Sequence, residues 1–142
     1  MSIVNQVADG VVAAIDGATL SLEATPERHY QPRFELAEMD TLHVSVVPKG
    51  VTINALGRDR LQYDVQVDVA VQQRFAEGSN PELDPLMDYV EEIADLFRLK
   101  RLPGELPASW IRTENDPVFA PEHMQELRQF TSVLTLTYRV VR

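Results

Sequence analysis

Residues 61–75, LQYDVQVDVAVQQRF, decide the fold of this chain. Leu61, Tyr63, Val65, Val67, Val69 and Val71 fall on one side of an extended backbone, and Gln62, Asp64, Gln66, Asp68, Ala70 and Gln72 on the other. Successive side chains of a strand point to opposite faces, so the stretch reads as one long strand with a dry face and a wet face. A sheet that is apolar on one side needs helices over that side and is commonly antiparallel. Residues 131–141, TSVLTLTYRVV, repeat the pattern, with Leu134, Leu136, Tyr138 and Val140 opposed to Val133, Thr135, Thr137 and Arg139. A strand so well filled belongs inside the sheet, paired with the strand from Leu61. That pairing sets Arg139 opposite an acid such as Asp64 or Asp68.

Outward from these two strands the elements alternate. Residues 3–16 read as a helix capped by Ser2, with Ile3, Val7, Val11 and Ala14 or Ile15 in one stripe and Gly17 at its end. Gly10 in its middle is unfavourable for a helix. A polar stretch with Pro26 and Pro32 follows. Residues 42–47, LHVSVV, form a strand with Leu42, Val44 and Val46 on one face; PKG (48–50) interrupts it, and VTINAL (51–56) resumes as a strand. KGVTINALGRDR (49–60) reads as a protruding hairpin.

GSNPELDP (78–85) opens a second helix, capped by Asn80 or Asp84 with Pro81 or Pro85 at its first position. Its stripe is Leu83, Leu86 or Met87, Val90, Ile93 or Ala94, and Phe97. Arg98, Lys100 and Arg101 suit its negative end, and Pro103-Gly104 stops it. SWIRT (109–113) is a short strand, and a turn of helix starts at Pro121. The expectation is a single α+β domain over residues 1–142: a mostly antiparallel sheet packed by two main helices, in the order α-β-β-β-α-β-β.

Composition bounds the function. The 142 residues are 44% hydrophobic and 25% charged, as in soluble globular domains. No apolar run approaches the ~20 residues that span a bilayer. The start, MSIVNQVADG, has no basic segment of the kind that opens a secretory signal. Without cysteine there is no disulfide and no thiolate metal site, which suits a reducing cytoplasm. Thirteen bases against 22 acids give −9, which disfavours gripping nucleic-acid phosphates or anionic lipid.

The residues supply little chemistry. His29, His43 and His123 are far apart and fit no metal-ligand spacing. No nucleophile elbow and no glycine-rich phosphate loop occurs. Asp84, Asp88, Glu92 and Asp95 line one face of the second helix, where a solvated face accounts for them as fully as a cation site does. Asp64 and Asp68 lie about 13 Å apart on one strand, too far for an acid/base pair. The expectation is therefore no enzyme, no cofactor and no metal.

What remains is surface for a protein partner. Lys49, Arg58 and Arg60 make a basic tip on an acidic body, and Val118 and Phe119 sit between Pro117 and Pro121, which stiffen them. These residues and Arg139 are the candidate interface, and Asp64 and Asp68 a candidate acidic face toward an interface or a channel. Patches of opposite sign on one small chain favour head-to-tail contacts, which close into rings.

The stretches VPKGVTINALGRDRLQYDVQVDVAVQQRF, LMDYVEEIADLF and LRQFTSVLTLTYRV, in this order, resemble the small neck proteins of long-tailed bacteriophages, and among them the tail terminators. That resemblance implies a structural protein of the virion, made in the bacterial host cytoplasm. It implies a homohexameric ring that caps the finished tail tube and joins it to the head-side connector. Its partners would be its own copies, the tail tube protein and the connector, with DNA passing through the channel without specific binding. The alternatives are another head-tail connector, a stopper or adaptor. More distant are a monomeric small-ligand-binding α+β module and a metal-dependent enzyme using the acidic helix.

Overall fold

The computed structural model describes residues 2–31, 41–104, 106–116, 118–126 and 128–142; Pro32 and Pro117 lie outside them. In chain order the elements are α1 (Ile3–Asp16), β1 (Pro26–Arg28), β2 (His43–Ala55), β3 (Leu61–Arg74), α2 (Asn80–Phe97), β4 (Ser109–Glu114), α3 (Pro121–Glu126) and β5 (Gln129–Val141). The five strands form one sheet in the order β1-β2-β3-β5-β4. β1 runs parallel to β2 and every other pair is antiparallel, so the fold is α+β as the alternation requires.

The β3–β5 ladder is the centre of the sheet. Its register runs without a break from Gln62 opposite Val141 to Arg74 opposite Gln129. Cross-strand partners share a face, so Val65, Val67, Val69 and Val71 join Leu134, Leu136, Tyr138 and Val140 on the dry side, all buried. α1 covers β1, β2 and β3 on that side, and α2 covers β5. The Ser2 hydroxyl accepts the Asn5 amide and caps α1, whose buried stripe is completed by Ile15 rather than Ala14. Gly10 has a packing reason: a Cβ there would meet the Leu102 side chain at 3.2 Å, so the segment after α2 lies directly on α1.

The structure corrects several sequence readings. The two strands expected at 42–47 and 51–56 are one, β2, with a register shift between Pro48 and Gly50. Apolar residues sit at even positions before this bulge (Val44, Val46) and at odd ones after it (Val51, Ile53). One extra residue returns both sets to the dry face. The third strand of that group is instead β1, inside the stretch read as merely polar. Its Pro26 is buried, and its Arg28 is held by Asp9 at 2.8 Å.

α2 starts earlier than expected. Ser79, not Asn80 or Asp84, stands at its N-cap, and Pro85 lies inside the helix. Glu82 turns back to accept the amides of Ala76, Glu77 and Gly78 at 3.3, 3.1 and 2.9 Å, which satisfies donors just ahead of the helix. These amides, that of Gly78 foremost, hold the Glu82 carboxyl below its ordinary range. The helix ends at Phe97, so Arg98, Lys100 and Arg101 lie beyond it.

The wet face is also less uniform than its pattern. Gln62, Asp64, Gln66 and Asp68 are half-buried, while Ala70, Gln72, Ser45 and Thr131 are buried at the end where α3 packs on β5 and His123 meets Thr131 at 2.8 Å.

Opposite substitutions on adjacent residues test the face assignment. Val67→Asp sets an unpaired charge among buried side chains, at a cost of several kcal/mol. It is expected to yield insoluble protein. Asp68→Asn keeps an acceptor for the Thr135 hydroxyl, 2.7 Å away, and should fold and melt like the parent in circular dichroism. Equal behaviour of the two would refute the assignment.

Candidate functional site

The dry face of the sheet is longer than the helices that cover it. Beyond the row where Val51 lies opposite Val65, the β2–β3 hairpin runs on with β5 still beside β3 as far as Leu61. Only the 56–60 turn passes the end of the sheet, and every residue from Val51 to Leu61 is exposed. Ile53 lies opposite Tyr63 and Ala55 opposite Leu61, so the apolar face continues out along this arm. Val51, Ile53, Leu56 and Leu61 are 41%, 52%, 46% and 41% exposed. Leu61 and Tyr63 thus have the parity of core residues without core burial. Four large aliphatic side chains in one arm form a cluster, unlike the scattered single residues of an ordinary surface.

The arm is built firmly. The Leu56 amide donates to the Arg60 carbonyl across the turn at 2.9 Å, and Gly57 takes a φ of +90°, which a side chain would strain. Next to the turn, Leu61 and Arg142 exchange two backbone hydrogen bonds of 2.7 and 3.0 Å, which tie this end of β3 to β5, and the Arg142 guanidinium lies 5.8 Å over the Tyr63 ring. Lys49 occupies the bulge and Arg58 and Arg60 the turn, all exposed. The three expected basic residues therefore belong to one arm.

Asp64, Asp68 and Arg139 come together elsewhere, on the polar side of β3–β5. Arg139 Nε and Nη2 donate to the two Asp64 carboxylate oxygens at 2.8 and 3.2 Å, and the Thr135 hydroxyl donates to Asp68. The Arg139 hydrogen bond holds the Asp64 carboxyl below its ordinary range, against the opposing effect of its partial burial. Val118 and Phe119 are exposed at the far end of β5. There the Val118 carbonyl accepts the Ser132 hydroxyl and the Ala120 amide donates to Thr131. That level, at Ser132, is ten residues along β5 from Arg142, which flanks Leu61 at the turn end of the hairpin, about 33 Å of strand. The expected residues thus fall into three separate surfaces rather than one site.

The second helix shows a different acidic row from the one expected. Asp84, Asp88, Glu91 and Asp95 are exposed, whereas Glu92 turns in to bind the Ser21 amide and hydroxyl. Beside this row, α2 and β4 bound a groove of about 310 Å³ floored by Val90, Ala94, Trp110 and Leu134. Among the described residues no group of three or more His, Asp and Glu side chains is placed to hold a metal ion. No helix of the described residues is long and apolar enough to cross a membrane.

The hairpin over residues 49–60 follows from the sequence, but its exposed apolar face does not, because alternation reports which face a residue takes, not how far the covering helices reach. The switch of apolar parity across Pro48-Lys49-Gly50 was the available signal. No protein-family model and no curated protein matches the chain.

The Asp64–Arg139 pair gives a pH signature. A carboxyl whose folded pKa is depressed adds stability above its unfolded value, near 4, and loses that contribution as the pH falls through the folded value. Denaturant titrations between about pH 5 and pH 2 should show a shallower fall in stability for Asp64→Asn than for the parent. Identical slopes would mean that the pair contributes nothing.

Proposed function

We propose that this chain is a structural subunit of the neck of a long-tailed bacteriophage, a tail terminator that assembles as a ring on the end of the tail tube. The observation that carries the reading is the end of the β2–β3 hairpin, with Val51, Ile53, Leu56 and Leu61 exposed and Arg58 and Arg60 at its turn, on a chain of net charge −9. A monomer gains nothing from holding such an arm in water. A subunit that meets neighbours gains apolar burial and an attraction between unlike charges. The resemblance of the element order and of the strand and helix sequences to terminators supplies the kind of assembly.

One further feature supports it. A ring of six would also multiply the acidic charge sixfold, and an acidic channel repels phosphates and lets DNA slide through it. Head-side connector and tube protein are then its two axial partners.

Electron cryo-microscopy of the purified chain mixed with tubes of the tail protein encoded near its gene tests this. The expected image is a six-fold ring at the tube end. A chain that stays monomeric in the presence of finished tubes contradicts the reading.

A further inference from the structure

Two surfaces of this chain complement each other in both shape class and charge, and they cannot meet within one molecule. The first is the β2–β3 arm, with Val51, Ile53, Leu56 and Leu61 exposed and Arg58 and Arg60 at its turn. The second is the groove between α2 and β4, with an apolar floor that includes Ala94 and Trp110 and with Glu91 and Asp95 on its wall. Strand order separates them, because β3 and β5 lie between β2 and β4. Three strand spacings put β2 about 14 Å from β4, and a hairpin that continues its own sheet cannot fold back across it.

We infer that the hairpin arm of one copy seats in the α2–β4 groove of the next, so that the contact between subunits is heterologous and repeats head to tail. The occupant is a second copy because the charges match at more than one point. Arg58 and Arg60 meet the wall of Glu91 and Asp95, while Asp59, between the two arginines, has Arg98 at the groove as its counterpart. The arm's aliphatic side chains and the groove floor then remove each other from water, which supplies the affinity, while the charges fix the register. β4 is the edge strand of the sheet, so nothing among the described strands lies outside the groove to block the approach. Trp110 is held there by its indole donating to the Thr113 hydroxyl at 2.9 Å, a rigid aromatic wall of the kind that anchors interfaces.

The inference rests on the reading of the chain as a self-assembling subunit, and it names the contact. Its test is separable from that of the neck assignment because it needs neither tube nor connector. The chain has no cysteine, so introduced thiols report without background. Full-length Ile53→Cys and Ala94→Cys proteins are mixed at high concentration under mild oxidation and run without reductant. The expected result is a disulfide dimer linking the two variants, little product from either alone, and a ladder of multimers from the double variant Ile53→Cys/Ala94→Cys. A dimer from Ile53→Cys alone, or no cross-link in the mixture, overturns the inference.

Charge reversal gives a second readout on proteins that still fold. Arg58→Glu with Arg60→Glu should weaken self-association by about tenfold, and adding Glu91→Lys with Asp95→Lys should recover most of the loss. Loss without recovery overturns the pairing. A six-fold ring on tail tubes that gives no 53–94 cross-link would leave the neck reading standing and remove this contact alone.

Discussion

The structure depends on the register between β3 and β5. These two strands are the longest continuous ladder in the sheet, and each alternates apolar and polar residues with few exceptions. Slipping the pairing by one residue would turn every valine of β3 into water and every aspartate into the core. The cross-strand pairs on the polar side oppose such a slip: Asp64 with Arg139 and Asp68 with Thr135 fit only the observed register. Both main helices pack on the dry face that this register creates. α1 and α2 have apolar stripes that match it, and their placement follows from it.

The bulge at Lys49 carries the same constraint outward. Without the extra residue, Val51 and Ile53 would turn to the polar side of the sheet once the strand passed Pro48. With it, the dry face runs unbroken from the core to the exposed end of the β2–β3 hairpin. A sequence that spends a bulge to keep apolar residues aligned where none of the described helices covers them is specifying a surface, since polar residues there would satisfy the fold equally well. The basic residues at the bulge and at the turn give that surface a sign opposite to the rest of the chain. This is the physical basis for treating the arm as an assembly element.

Much of this was legible in the residues. The two central strands, their pairing, the meeting of Arg139 with Asp64 and the span of α1 all follow from alternation and capping chemistry. What escaped depended on neighbours. β1 is three residues long and exists because β2 offers it an edge, so no local pattern announces it. The cap of α2 shifted to Ser79 because Glu82 finds three backbone donors in the preceding turn, a match that spacing alone does not rank above Asn80. Glu92 left the acidic row because Ser21, far away in sequence, reaches it in the fold. Chemical type alone marks the candidate interface residues in the sequence, and the structure sorts them by position: Lys49, Arg58 and Arg60 onto one hairpin, Arg139 into a pair with Asp64, and Val118 and Phe119 to the far end of β5.

The central claim is that the arm from Val51 to Leu61 exists to be covered by a partner. Hydrogen exchange, followed residue by residue in the free chain and in its assembled form, tests it most directly. Amides at the centre of β3 and β5 should exchange slowly in both, because their bonds are already buried. Amides of Val51 to Ala55 should exchange quickly in the free chain and become strongly protected on assembly. Fast exchange of the arm in both forms, with new protection appearing elsewhere, would contradict the account.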